Sequence, residues 1–265
     1  MPVPWRFIPP NAVTCGSIVM GLLSVVFSVR GAAAPGDGNF EAAAWFILWC
    51  MLLDKADGTV ARLLKATSKF GLELDSLADL IAFGVAPCVL VLSLFSTPAS
   101  LGAAGLEGAT AFRWAVYACA FAFVIASALR LAKYNVVTES YGKSYFFGLP
   151  TTSSGAVLAA YYLTAVKYGL PREVVMAMPA MMLVLALMMV SRIPIPKLGL
   201  SKNLALNIFI VGNAVLFYAF GFMRVLPEYL LAIGLIYLVF GSGWALIKGV
   251  KPPPLETETT PDGVR

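Results

Sequence analysis

Residues 52–87 read LLDKADGTVARLLKATSKFGLELDSLADLIAFGVAP and contain five of the 14 acidic residues of the 265-residue chain. Four of these carboxylates form two pairs with helical spacing, Asp54 with Asp57 and Asp75 with Asp79. Residues three or four positions apart share one face of an α-helix, so each pair projects its carboxylates in one direction. The stretch therefore predicts two helices that each carry an acidic face.

A turn between these two helices would bring the acidic faces together. Gly71, which follows the polar residues 67–69, is predicted to turn the chain between two antiparallel helices. Glu73 lies about 200° around the helix from Asp75 and is therefore left out of the cluster. We expect four carboxylates to converge across a helical hairpin.

The composition indicates that a lipid bilayer surrounds this hairpin. The chain is 60% hydrophobic and 12% charged, with a mean hydropathy of +0.84. Soluble domains are about 45–50% apolar and about 25% charged, so an ordinary soluble protein is excluded. The chain has no histidine, which excludes Ser-His-Asp and Cys-His catalysis and histidine-ligated metals. Its chemistry must use carboxylates, hydroxyls, Lys, Arg or metal ions.

We predict an all-α integral membrane protein with about eight transmembrane helices. The apolar runs are 7–29, about 42 to beyond 54, 71–95, 110–130, 144–166, 174–191, 203–223 and 229–247. Of the 19 basic residues, 14 fall on one side of these spans, so that side is predicted to be cytoplasmic and to hold both termini. The net charge of +5 thus reflects topology in a cytoplasmic (inner) membrane and predicts no nucleic-acid partner. Residues 1–248 are predicted to form one transmembrane domain, and 249–265 a disordered cytoplasmic tail.

Four carboxylates at a membrane interface need compensation for their mutual repulsion. Arg62, Lys55 and Lys65 are the nearby cations. Divalent cations fit better, since Mg²⁺ prefers carboxylate oxygens together with substrate phosphates. Four carboxylates suit two ions, as in sites of phosphoryl transfer. The alternative is a solvated acidic hairpin that pairs with its own lysines.

The spacing of the hairpin also resembles a known family signature. Asp54-x-x-Asp57-Gly58-x-x-Ala61-Arg62, eight residues, then Gly71-x-x-x-Asp75-x-x-x-Asp79 is similar to the CDP-alcohol phosphotransferase signature at all eight defined positions. The resemblance implies an integral membrane enzyme whose helices enclose a polar cavity open to the cytoplasm. Such enzymes displace CMP from a CDP-linked lipid with an alcohol. The resemblance also implies a homodimer.

The resemblance implies a role for each residue of the signature. It implies three metal ligands and one residue that is both ligand and general base: Asp54, Asp57 and Asp75, then Asp79. It implies contacts to the CDP part of the lipid from Gly58, Arg62 and Ser68. Pro10-Asn11-x-x-Thr14 resembles the family's entry to its first helix, which implies that Asn11 and Thr14 lie near the nucleotide. Helix N-capping by Asn11 explains this short match as well. The implied ions are Mg²⁺ or Mn²⁺, two per site.

Three further segments resemble the phosphatidylserine synthase branch of the family. They are residues 70–87, the pair Arg130-Leu131-Ala132-Lys133-Tyr134-Asn135 and Phe147-Gly148-Leu149-Pro150, and Ser191-Arg192-Ile193-Pro194-Ile195-Pro196-Lys197. The resemblance implies CDP-diacylglycerol and L-serine as substrates, with Arg130 and Asn135 binding serine. Arg130 suits a carboxylate because its guanidinium donates two parallel hydrogen bonds. The alternative is that Arg130 is a topological charge that contacts lipid phosphates.

The sequence departs from the branch at Lys133, Tyr134 and 151–154, near the predicted acceptor pocket, and other acceptors stay open. They are glycerol phosphate, inositol phosphate, and serine on an archaeal lipid. From another class, a divalent-cation transporter would use the same four carboxylates. A transporter has no need of Gly58, Ala61 and Arg62 at their spacing, so transfer chemistry is favoured.

Overall fold

A computed structural model describes residues 5–66, 68–96, 110–137, 145–196 and 204–248. The helices within these ranges are α1 (Ile8–Ala33), α2 (Asn39–Leu63), α3 (Lys69–Asp79), α4 (Ala86–Ser96), α5 (Thr110–Val137), α6 (Thr151–Lys167), α7 (Arg172–Met176), α8 (Met178–Val190), α9 (Leu204–Met223) and α10 (Pro227–Ile247). A 3₁₀ turn, Trp5–Phe7, precedes α1, and a π-helical segment, Leu80–Val85, joins α3 to α4. The predicted tail, 249–265, lies outside the described residues.

Four helical stretches of the described chain are long and apolar enough to cross a membrane. They are Trp5–Ala33, Lys69–Ser96, Thr110–Asn135 and Arg172–Val190. Large apolar side chains also lie exposed on α9 and α10, for example Phe222 and Phe240. Lipid is a better environment than water for such surfaces, because burying apolar area in it is favourable. The fold is that of a helical integral membrane protein.

Among the described residues the all-α prediction is confirmed, with one short pair of strands as an exception. Strand β1 (Tyr145–Phe147) pairs antiparallel with strand β2 (Pro194–Pro196), with Phe146 opposite Ile195. The apolar run that was predicted to be helical from 144 therefore becomes helical only at Thr151. Pro150 explains the late start, because the helical conformation is disfavoured for the residue before a proline, here Leu149.

The π-helical segment lies at the centre of the helix packing. An added Cβ at Gly21 of α1 would lie 3.1 Å from the Cα of Ala82, and one at Gly155 of α6 would lie 2.9 Å from the Cα of Phe83. Helices α1 and α6 thus pack closely against the backbone of the segment, and glycine at both positions allows that approach without displacing it. The segment begins directly after Asp79, and π-helical turns inside α-helices are frequent at functional sites.

Candidate functional site

Backbone hydrogen bonds cap the C-terminus of α2. Lys65 has a positive φ of 49°, and its amide donates to the carbonyl of Arg62, while the amide of Ala66 donates to the carbonyl of Ala61. This pair of bonds forms a Schellman motif, with lysine at the left-handed position that usually holds glycine. The motif ends α2 two turns after Asp57 and turns the chain toward α3.

Helix α3 begins earlier than the sequence predicted. Ser68 is its N-cap, and the Ser68 hydroxyl accepts a hydrogen bond from the amide of Gly71 at 3.0 Å. Gly71 therefore lies in the first turn of α3 and not in the interhelical turn, because a serine three residues earlier satisfies its amide. A Cβ at Gly71 would lie 3.2 Å from the Ser68 Oγ and 3.3 Å from the Asn11 Oδ1. Glycine here lets the start of α1 approach the hairpin.

The hairpin gathers the predicted carboxylates. Asp54, Asp57 and Asp75 each offer a carboxylate oxygen within 4.8 Å of the others. Asp79 is not part of this group of three, but it is close enough to Asp54 and Asp75 to interact with them electrostatically. Asp57 is 6% exposed and Asp79 is 8% exposed. The carboxylates of the two helices thus lie together in one acidic cluster, which is partly buried.

Little positive charge from the chain neutralises the cluster. Lys55 pairs with Asp54 at 3.2 Å, and within the described ranges this is the one ion pair that involves the cluster. Arg130 of α5 adds a longer-range electrostatic interaction with Asp79. Because Asp57 and Asp79 are buried, the picture of a solvated hairpin paired with its own lysines does not fit. The donor set consists of hard carboxylate oxygens, which suits Mg²⁺ or Mn²⁺.

The backbone beside the cluster is open at Gly58. A Cβ added there would have Arg62 Nη1 as its nearest neighbour, 3.5 Å away. The exposed guanidinium of Arg62 donates from Nη2 to the Thr59 hydroxyl at 3.1 Å and keeps further donors free for another group. Gly58 and Arg62 therefore leave accessible space next to Asp57.

Asn11 and Thr14, which the resemblance places near the nucleotide, lie on α1, and Thr14 contacts the same acidic cluster. The N-cap of α1 is Phe7, so the explanation of Asn11 as a helix cap is wrong. Proline is well tolerated in a first helical turn, and this lets α1 start ahead of Pro9 and Pro10. The Thr14 hydroxyl lies 2.8 Å from the Asp57 Oδ2, a contact that the spacing within either helix does not predict.

The two residues predicted to bind serine both lie on α5 but have different surroundings. The Arg130 Nη1 donates to the Thr151 hydroxyl at 3.3 Å, and the guanidinium lies 5.3 Å from the centre of the Tyr134 ring. Asn135 faces α3 instead, where its Nδ2 donates to the Ser76 hydroxyl at 3.0 Å and to a carboxylate oxygen of Glu73 at 3.3 Å. The amide of Asn135 thus connects the C-terminal end of α5 to the middle of α3.

Sequence reasoning missed Ser76 and gave Thr151 no role. Ser76 lies between two predicted ligands, so its position alone was a usable signal. Thr151 opens a run of four hydroxyl residues directly after Pro150, and its side chain is fully buried. A buried hydroxyl at the start of a helix is a natural partner for a charged group nearby.

Replacing Asn135 with aspartate is expected to lower the melting temperature of the detergent-solubilised protein. The change sets a second carboxylate against Glu73 and removes the donor to it, at a cost of about 1 kcal/mol because Glu73 is exposed. Thermal melting of Asn135→Asp, alone and combined with Glu73→Gln, measures the effect. Recovery in the double variant is expected, and failure of Glu73→Gln to restore the melting temperature would contradict the contact.

The fold and the site define a helical membrane protein with a partly buried acidic cluster that could hold a metal ion, beside an open glycine. The chain belongs to the CDP-alcohol phosphatidyltransferase family, whose model matches residues 7–190. It is therefore a phosphatidyltransferase.

Characterised relatives carry a more specific name. A CDP-diacylglycerol–serine O-phosphatidyltransferase of Helicobacter pylori (strain ATCC 700392 / 26695) is 32% identical over 91% of this chain and 92% of its own length. A protein of the same name from Bacillus subtilis (strain 168) is 33% identical over 58% of this chain and 75% of its own. An archaetidylserine synthase of Methanothermobacter thermautotrophicus is 30% identical over 71% of this chain and 69% of its own.

Proposed function

We propose that the protein transfers the phosphatidyl group of CDP-diacylglycerol to L-serine and releases CMP. The observation that carries the proposal is the likeness to the Helicobacter pylori serine transferase along almost the whole of both chains. The structure supports it with a cation, Arg130, that interacts electrostatically with Asp79. A second substrate with a carboxylate needs such a cation beside the reacting group.

In the proposed reaction, the serine hydroxyl oxygen attacks the phosphorus that carries the lipid. A new P–O bond forms to serine, the P–O bond to CMP breaks, and CMP leaves with the bonding electrons. Asp79 accepts the hydroxyl proton, as its buried position next to the other carboxylates permits. Gly58, Arg62 and Ser68 hold the CDP part, and Asn11 lies beside them through its approach to Gly71.

The acceptor lies on the Arg130 side of the cluster in this proposal. Thr151 and the ring of Tyr134 fix the guanidinium in direction, so that its remaining donors grip the serine carboxylate. Asn135 stays a predicted serine ligand, although its amide already donates to α3. Holding both substrates in place supplies much of the rate, since a carboxylate is a weak base.

The proposed cofactor is Mg²⁺ or Mn²⁺, two ions held by Asp54, Asp57, Asp75 and Asp79. The close approach of three carboxylate oxygens supports this assignment. When bound, such ions would act as Lewis acids and stabilise the negative charge that develops on departing CMP.

The proposed topology has eight transmembrane helices in a cytoplasmic (inner) membrane, with both termini and the polar site on the cytoplasmic side. The distribution of basic residues supports this orientation, since the cluster lies next to Lys55 and Arg62 of the more basic side. A homodimer is proposed from the family resemblance. Residues 1–248 form the transmembrane domain and 249–265 the tail.

A CMP-release assay with an acceptor panel tests the proposal. Purified protein in detergent receives CDP-diacylglycerol and Mn²⁺, with L-serine, glycerol 3-phosphate or inositol 1-phosphate supplied separately. We expect CMP release with L-serine and not with glycerol 3-phosphate or inositol 1-phosphate. Arg130→Gln is expected to raise the KM for serine about 10-fold or more with a smaller change in the KM for CDP-diacylglycerol, since a hydrogen bond to a charged group is lost.

Other results of the CMP-release assay would contradict particular parts of the proposal. Release with a phosphorylated alcohol but not with serine would overturn the acceptor and keep the family. Equal KM values for serine in Arg130→Gln and wild type would overturn the role of Arg130. Serine transfer that occurs only with an ether-linked archaeal donor would replace the proposed lipid.

A further inference from the structure

Thr14 and Asp57 form a buried contact between α1 and α2. The Thr14 Oγ1 lies 2.8 Å from the Asp57 Oδ2, and the two residues are 5% and 6% exposed. The same hydroxyl oxygen lies 3.0 Å from the carbonyl oxygen of Pro10, one helical turn earlier. Thr14 therefore has a fixed place between the backbone of its own helix and a predicted metal ligand.

The direction of the bond follows from the groups. A backbone carbonyl and an ionised carboxylate both only accept, so the single proton of the Thr14 hydroxyl has two acceptors, and the shorter distance and the charge favour the Asp57 Oδ2 over the Pro10 carbonyl. Hydrogen bonds to a charged acceptor are stronger than neutral ones, and a buried one is not exchanged for water. The contact ties one oxygen of Asp57 and removes the rotational freedom of the carboxylate.

Helix α1 is well placed to act as a rigid support for this contact. The Ser24 hydroxyl donates to the carbonyl of Ala43 at 2.9 Å, and the Cys50 thiol donates to the carbonyl of Ser17 at 3.4 Å. Both bonds join α1 to α2 on the face that carries Thr14. Rotation or sliding of α1 would break all three bonds, so the position of the Thr14 hydroxyl is set by helix packing.

We propose that Thr14 is a positioning residue that orients Asp57 for the divalent metal and does not contact the nucleotide. Its hydroxyl holds Asp57 so that the oxygens of the three clustered carboxylates converge before an ion binds. This inference rests on the proposed metal role of the cluster. Groups that hydrogen-bond to metal ligands commonly contribute about 10- to 100-fold in metal affinity.

The test is Mn²⁺ binding, followed by electron paramagnetic resonance, to full-length protein in detergent without lipid or serine. Thr14→Val keeps the shape and loses the hydroxyl, while Thr14→Ser keeps the hydroxyl. We expect Thr14→Val to weaken Mn²⁺ binding about 10- to 100-fold and Thr14→Ser to stay close to wild type. Asp57→Asn sets the scale for loss of the ligand itself. Thr14→Ala serves as a second variant without the hydroxyl if Thr14→Val does not fold.

A separate titration with CDP at saturating Mn²⁺ discriminates the nucleotide role. Unchanged Mn²⁺ affinity with weakened CDP binding would overturn the inference and make Thr14 a nucleotide ligand. Unchanged affinity for both would also overturn it. Wild-type protein that does not bind Mn²⁺ would overturn this inference and the metal proposal together. Wild-type protein that binds Mn²⁺ but does not use serine would overturn the acceptor alone.

Discussion

Asp79→Asn is expected to reduce serine-dependent CMP release by about 10²- to 10⁴-fold, the usual contribution of general acid–base catalysis. Asparagine has nearly the same shape as aspartate but does not accept the proton of the attacking hydroxyl. Asp79 is 8% exposed, so bulk water does not readily take over that function. The rate is measured at saturating CDP-diacylglycerol, serine and Mn²⁺, which separates this loss from weaker binding.

A matched change elsewhere controls for the chemistry of the substitution. Asp37→Asn makes the same replacement at an exposed position in the loop between α1 and α2, and wild-type activity is expected. Both variants are compared after size-exclusion chromatography, so that misfolded protein is removed. An Asp79→Asn protein that is folded and retains a tenth of the wild-type rate would rule out Asp79 as the proton acceptor.

The acidic cluster was predictable because its information is local. Three- and four-residue spacings fix which side chains share a helix face, and one short turn folds α2 against α3. Asp54, Asp57 and Asp75 therefore meet as expected. Asp79 lies one turn beyond Asp75 and outside the group of three, which the spacing along α3 alone does not predict.

Contacts between segments that are far apart in the sequence could not be predicted from the sequence. The contact between Thr14 and Asp57 depends on the rotation of α1 against α2, which neither helix specifies alone. The pairing of β1 with β2 joins segments almost 50 residues apart, and three apolar residues in each give no periodicity to read. The late start of α6 was predictable from the sequence, because Pro150 interrupts the apolar run and disfavours a helical conformation in the residue before it.

Gly148→Ala is expected to destabilise the folded protein by about 3 kcal/mol or more. Gly148 has a φ of +85°, and an added Cβ would lie 2.3 Å from the carbonyl oxygen of Met189 and 2.9 Å from that of Ser191. Both obstacles are backbone atoms, so no side-chain rotation relieves the clash. The turn must open instead, which breaks the bond from the Gly148 amide to the carbonyl of Ile193. Thermal melting in detergent measures the loss.

Gly36→Ala separates the clash from the cost of the backbone conformation. Gly36 has a φ of +101° but nothing within 4 Å of an added Cβ, so alanine there is expected to cost only about 1–2 kcal/mol. Because Gly148 lies three residues before Thr151, opening its turn also displaces the hydroxyl that Arg130 contacts, and the KM for serine is expected to rise in whatever Gly148→Ala protein folds. Equal decreases in melting temperature for the two variants would mean that the carbonyls of Met189 and Ser191 yield freely.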